Sequence, residues 1–140
     1  MLGPNIDRFA LLREPWSAEA ESGLAGTFYD AKERISAGVR SGAMELYRVF
    51  ENQVDPRLQC GWLVLERMAG MLFVWCYQGR GLVCLIHQLR EYARANGFQQ
   101  LSFFTHHAAA IRVLRRFKPT VYKKHAPDEI QYVIDVRRAA

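Results

Sequence analysis

The sequence predicts a single α/β (α+β) domain spanning residues 1–140, built on a mixed, mostly antiparallel central sheet flanked by helices. Three observations carry this prediction. The stretch Met71 to Gly97, MLFVWCYQGRGLVCLIHQLREYARANG, reads as strand, glycine loop and helix. Three strand-like runs, Met44 to Phe50, Cys60 to Arg67 and Met71 to Cys76, follow one another through short turns, which predicts an antiparallel meander. A further strand, Gln100 to Thr105, comes after the central helix, and a helical link between two strands favours parallel pairing through a right-handed crossover.

Phe9 to Leu12 is a short apolar run that stops before Glu14-Pro15, a first strand. Ser17 is an N-cap candidate, with Glu19 and Glu21 in the first helical turn where the dipole favours anions. Leu24, Phe28, Ala31 and Ile35 continue a helical stripe, which Gly23 and Gly26 weaken and are expected to split in two, and Ser41-Gly42 ends it. Gln53-Val54-Asp55-Pro56 and Ala69-Gly70 are turns between the strands of the meander.

Met71 to Cys76 is continuously apolar and short enough to be a buried strand. Gln78-Gly79-Arg80-Gly81 follows as the loop. Leu82, Leu85, Ile86, Leu89 and Ala93 form one apolar stripe at helical spacing, and Asn96-Gly97 closes the helix with residues that accept the left-handed conformation. Ala108 to Phe117 is a second amphipathic helix, with Ala110, Val113, Leu114 and Phe117 on one face and Pro119 as its stop. Val121-Tyr122 begins a short strand, Ala126-Pro127-Asp128 turns the chain, and Ile130 to Val136 alternates as the last strand.

Composition narrows the function classes. Half of the residues are hydrophobic and 12% aromatic, a globular composition. The net charge of +5 suits anionic ligands without pointing to nucleic acid. No apolar run approaches the length of a membrane span, and MLGPNIDRF does not read as a signal peptide. Cys60, Cys76 and Cys84 lack CxxC spacing and read as free, mostly buried thiols in a reducing cytoplasm. Trp16, Trp62 and Trp75 read as core residues; an exposed one would mark a homodimer contact.

The loop-to-helix unit has a chemical use. The first N–H groups of a helix lack intrahelical partners and lie at the positive end of its dipole, so phosphates bind there readily. Glycines let the backbone approach a ligand closely, and Arg80 offers a second contact. A plain tight turn between core elements reads equally well from the glycines alone.

The order of elements, with Gln78-Gly79-Arg80-Gly81 between strand and helix, resembles the GNAT superfamily of acyl-CoA N-acyltransferases. Gln78 fits the first position and Gly81 the fourth of that family's Gln/Arg-x-x-Gly-x-Gly/Ala motif; Val83 stands where Gly or Ala is expected. Thr105 to Phe117, with His106-His107 before Ala110-Ile111, is similar to the segment in which the family has an Asn, an Ala-Ile pair and a short helix.

The resemblance implies a parallel strand pair that opens into a cofactor cleft holding acyl-CoA, acetyl-CoA before others, with no metal. The cofactor-binding residues would be Phe73, Val74, Trp75, Cys76, Tyr77, Gln78, Gly79, Arg80, Gly81, Leu82, Val83 and His107. The pyrophosphate would lie on the N–H groups of Gln78 to Val83, and the strand edge from Phe73 to Cys76 would hold the pantetheine amides. Leu114 stands where the family places a Tyr as general acid. The candidates for proton transfer are therefore His106, His107, Glu66 and Tyr122, with Tyr77 as another phenol. A His pair at a strand end also reads as a cap or a solvated edge.

The implied activity is transfer of an acyl group to a primary amine of a small molecule or protein. The alternative is a catalytically silent binding or assembly module contacting protein or nucleic acid through Arg112, Arg115, Arg116, Lys118, Lys123 and Lys124, a run that reads equally as a solvated helix face and a lysine-protected strand edge.

Overall fold

Strands β1 (Phe9–Glu14), β2 (Glu45–Glu51), β3 (Gln59–Met68), β4 (Met71–Gly79), β5 (Gln100–Thr105), β6 (Thr120–Ala126) and β7 (Glu129–Asp135) form a single seven-stranded sheet. The helices are α1 (Ala18–Leu24), α2 (Lys32–Ser41), α3 (Leu82–Ala95) and α4 (Ala108–Arg115). The structure is a computed structural model that describes residues 8–27, 31–105, 108–126 and 129–136, by backbone alone at 105, 108–109, 120–126 and 129–130. The strand order is β1-β2-β3-β4-β5-β7-β6, antiparallel throughout except for the parallel pair β4 and β5. Phe28, Pro127, Asp128, His106 and His107 lie outside the described residues.

The sheet is covered on both faces. Leu63, Leu65, Leu72, Val74, Leu101, Phe103 and Ile134 turn one way and pack with Leu85, Ile86, Leu89 and Ala93 of α3 and Leu114 of α4. Leu46, Trp62, Val64 and Phe73 turn the other way and pack with Ala20 and Leu24 of α1 and Ile35 and Val39 of α2. Burial on both faces explains why Met71 to Cys76 reads as an unbroken apolar run. Trp62 and Trp75 are buried in this core, and Trp16 packs against it partly buried.

Local signals account for most element ends. Ser17 is extended at φ −147°, and its Oγ accepts the Ala20 N–H at 3.1 Å, capping α1. The helical region does divide: α1 ends at Leu24, a 3₁₀ turn covers Ala25–Thr27, and α2 starts at Lys32. Gly23 serves packing, since a Cβ there would stand 2.5 Å from the indole of Trp62. Gly42, at φ 85°, ends α2 in the left-handed conformation.

Three expectations need correction. Asn96 keeps a negative φ of −105°, and Gly97 alone is left-handed at φ 82°. Helix α4 stops at Arg115, and Lys118, at φ 52°, turns the chain ahead of Pro119. The glycine loop is shorter than its sequence implies, because β4 continues through Gln78 and Gly79, paired with Trp62 and Gly61. Gly79 is a strand residue at a close backbone approach rather than a loop residue.

Candidate functional site

The parallel ladder between β4 and β5 runs from Met71 opposite Gln100 to Val74 opposite Phe103 and ends there. Past that pair, among the described residues, β5 is bonded to β7 alone, while β4 continues to Gly79 bonded to β3 alone. The cause lies in the next residue. Val64 of β3 faces Cys76, and Leu65 faces Val74, so Trp75 is an extra residue in β4, a β-bulge. The side-chain alternation breaks with it, because Trp75 and Cys76 both join the α1–α2 side of the core. A bulge bends and twists its strand, and here β4 swings away from β5.

The divergence leaves a cleft of about 540 Å³. Val74, Tyr77, Leu82, Phe103, Val113 and Leu114 line it from the α3–α4 side. Gly26, Thr27, Cys76 and Phe104 line it from the α1–α2 side. The opening thus passes through the sheet, and the unpaired edge of β4 beyond Val74 presents backbone polar groups to it.

Helix α3 begins at one mouth of this cleft. Gly81 is its N-cap in the left-handed region, φ 74° and ψ 36°, without a side-chain cap. The Leu85 N–H already bonds the Gly81 carbonyl at 3.0 Å, so the N–H groups of Leu82, Val83 and Cys84 precede the first helical bond. The first turn holds no acidic residue to compete for them. The start of this 14-residue helix therefore presents donor N–H groups at the positive end of its dipole.

Two side chains brace the loop. The Tyr77 hydroxyl donates to the Arg80 carbonyl, and burial pushes its phenol well above the usual tyrosine range. Arg80 turns sideways to Glu51 on β2, at 2.6 Å, with most of its side chain exposed. The thiols are protonated at neutral pH. Burial pushes Cys76 up to about 12, with a small opposing contribution from a Thr27 hydrogen bond. Burial likewise raises Cys84, and it pushes Cys60 up to about 11.

Of the residues expected to bind cofactor, Val74, Trp75, Cys76, Tyr77, Gln78, Gly79, Gly81 and Leu82 line the cleft. Phe73 is buried in the core, Arg80 is tied to Glu51, and half-buried Val83 is not among the residues lining the cleft. Glu66 stands one side chain behind the wall, accepting the Trp75 indole N–H at 2.9 Å. Leu114 is 1% exposed and forms part of the wall itself. Tyr122 is placed on β6, with its side chain outside the description, and His106 and His107 lie outside the described residues. Sequence reasoning missed Gly26, Thr27, Phe103 and Phe104 as lining; the paired aromatics at the end of β5 were the available signal. Among the described residues no group of three or more His, Cys, Asp or Glu could hold a metal ion, and no helix is long and apolar enough to cross a membrane.

A mixed sheet that opens between its one parallel pair, with a helix starting at the mouth of the opening, defines the fold of the GNAT acyltransferases. Solved structures bear this out. A Bacillus subtilis acetyltransferase in complex with CoA superimposes with a TM-score of 0.67 at 12% identity, covering 91% of this chain and 97% of that one. Campylobacter jejuni N-acetyltransferase PseH in complex with acetyl coenzyme A gives 0.59 at 12% identity, over 91% and 98%. The catalytic domain of the Tetrahymena GCN5 histone acetyltransferase in complex with coenzyme A gives 0.59 at 12% identity, over 91% and 92%. At these identities the likeness is one of fold. No protein-family model matches the sequence, and no curated protein matches it.

Proposed function

We propose that this chain binds acyl-CoA, acetyl-CoA before other thioesters, and transfers the acyl group to a primary amine. The observation that carries the reading is the end of the parallel ladder at Val74 and Phe103, directly in front of the uncapped start of α3. The residues present fit the group. Leu82, Val83 and Cys84 would offer N–H groups to the pyrophosphate. The free edge of β4 from Trp75 to Tyr77 would take the pantetheine amides, and Val74, Phe103, Val113 and Leu114 give that arm apolar walls. The structural neighbours carrying CoA or acetyl-CoA support this reading.

Bound acyl-CoA supplies an activated acyl carbon: as the amine nitrogen forms its bond to that carbon the C–S bond breaks, the amine loses a proton and the thiolate gains one. The chain's part is to bind and orient. N–H groups on the bulged edge of β4 polarise the acyl carbonyl in a site sheltered by Phe103, Phe104 and Leu114. Because the cleft passes through the sheet, an amine reaches it from the α1–α2 side, past Gly26 and Thr27. We assign proton handling to His106, His107 and Tyr122, which follow β5 or lie on β6 beside β7, with Glu66 acting from behind Trp75.

The test is the thermal midpoint with and without excess acetyl-CoA or CoA. Ligand at about a hundred times its Kd stabilises by about 2.7 kcal/mol, a rise of roughly 10 °C for a domain of this size. No rise at millimolar ligand overturns the proposal. Leu114, an apolar side chain at the family's acid position, favours a second reading, a domain that binds CoA without transferring from it. A thermal shift without CoA release across a broad amine panel would select that reading.

A further inference from the structure

On the α1–α2 side of the cleft, the indole of Trp75 carries two opposite charges. Its N–H donates to Glu66 Oε1 at 2.9 Å, and the Arg34 guanidinium lies over the ring with Cζ 5.1 Å from the centroid. Phe73 stacks on the same indole at 4.8 Å and 8°. Phe104, which lines the cleft, leans on it at 6.2 Å. Trp75 is thereby locked between the cleft and a charged rim.

Arg34 is exposed on α2, and among the described residues it makes no ion pair, whereas Arg48, Arg67 and Arg80 each hold a carboxylate. A guanidinium resting on an aromatic ring keeps its planar edge available, and that edge matches a carboxylate in two parallel hydrogen bonds. The neighbouring Glu66 carboxylate disfavours a phosphate dianion at this rim and favours an ammonium group. One cation and one anion fastened to a single indole fit a zwitterion.

Resting on the acyltransferase reading, we propose that the acceptor is a free amino acid. Arg34 holds its carboxylate, and its amino group enters the cleft past Phe104. Glu66 acts through Trp75: from behind the cleft wall it holds the indole in place and adds negative charge on the side that receives the ammonium. Inside the cleft the ammonium gives its proton to the groups assigned proton handling, His106, His107 or Tyr122, the free amine attacks the acyl carbon, and the CoA thiolate leaves and is protonated.

The test presents acetyl-CoA with the free amino acids and with their carboxamides, which keep the amine and side chain but neutralise the carboxylate. Product is read by mass, CoA release by a thiol reagent, and binding by the thermal midpoint with CoA present. The expected result is an amino acid acylated at least about tenfold better, in kcat/KM, than its amide, the range of a charged hydrogen-bonded contact. Arg34→Gln should raise KM for that amino acid by about 10- to 100-fold and abolish the preference for acid over amide. Arg34→Lys, which keeps the charge but loses the two-pronged fork, should retain the preference for acid over amide in reduced form. The CoA-induced thermal shift should be the same in wild type and both variants.

Equal use of amides overturns the proposal, as does a preference surviving in Arg34→Gln. A CoA shift without acylation of any free amino acid also overturns it, as does acylation of peptide N-termini instead, which would point to a protein acceptor. Absence of the CoA shift in the wild type overturns the acyltransferase reading, and this inference with it.

Discussion

Gly61 and Gly79 face each other across β3 and β4 so closely that a Cβ on Gly79 would stand 2.9 Å from the Gly61 Cα and 2.5 Å from the Cys60 carbonyl oxygen. The obstacle is backbone, so no rotamer change relieves it. Gly79→Ala should cost about 1–3 kcal/mol, the usual range for overpacking, seen as a lower urea midpoint at unchanged slope. An unchanged midpoint would mean that the two strands part more easily at this end than their pairing indicates.

Gly81 tests the proposed anion site. Its φ of 74° strains any residue with a Cβ, so Gly81→Val should cost about 1–2 kcal/mol and displace the first N–H groups of α3. CoA affinity should fall by at least an order of magnitude while far-ultraviolet circular dichroism keeps the native shape. Retention of wild-type affinity would remove the helix start from the binding site.

The Arg80–Glu51 pair provides the contrast. Arg80 is 70% exposed, so its ion pair lies in the range of surface pairs. Arg80→Ala should change stability by at most about 1 kcal/mol and CoA affinity only a few-fold. A loss of CoA binding as large as that of Gly81→Val would show that the guanidinium leaves Glu51 to meet the ligand.

Cys76 sets an alkaline limit. Burial raises its folded-state pKa from an ordinary value of 9.0 to about 12, so the folded chain holds this proton more tightly than the unfolded chain. The associated stability is complete below about pH 9 and is lost as pH rises toward about 12. Urea midpoints from pH 7 to 11 should decline over the upper part of that range, and Cys76→Ala should flatten the decline whatever it does to the neutral-pH value. A parallel curve for the variant would assign the decline to other groups, Tyr77 foremost, whose phenol burial also raises.

Leu114 belongs to the core and to the cleft wall at once. Truncation to Ala removes a fully buried side chain and should cost about 2–4 kcal/mol. It also widens the cleft, so the preference among acyl chain lengths should move toward longer thioesters, measured as competition against radiolabelled acetyl-CoA. An unaltered preference would place the acyl end away from Leu114.

The elements and their neighbours in the meander are legible in the amino-acid sequence. The stripe from Leu82 to Ala93, the cap at Ser17, the turn at Gly70 and the apolar run from Met71 to Cys76 are local patterns, and local periodicity reports which face of an element is buried. The parallel return of β5 followed from the helix that precedes it. Tertiary structure alone decided that Gly79 is strand rather than loop, that β7 inserts between β5 and β6, and that Trp75 is the extra residue of a bulge. Register is a relation between distant segments, and the composition of MLFVWC is the same whether β4 bulges or runs straight. The cleft depends on that register, because it exists only where β4 leaves β5. Its far wall comes from Gly26 and Thr27, distant in the chain and brought to Cys76 by the packing of α1 on Trp62.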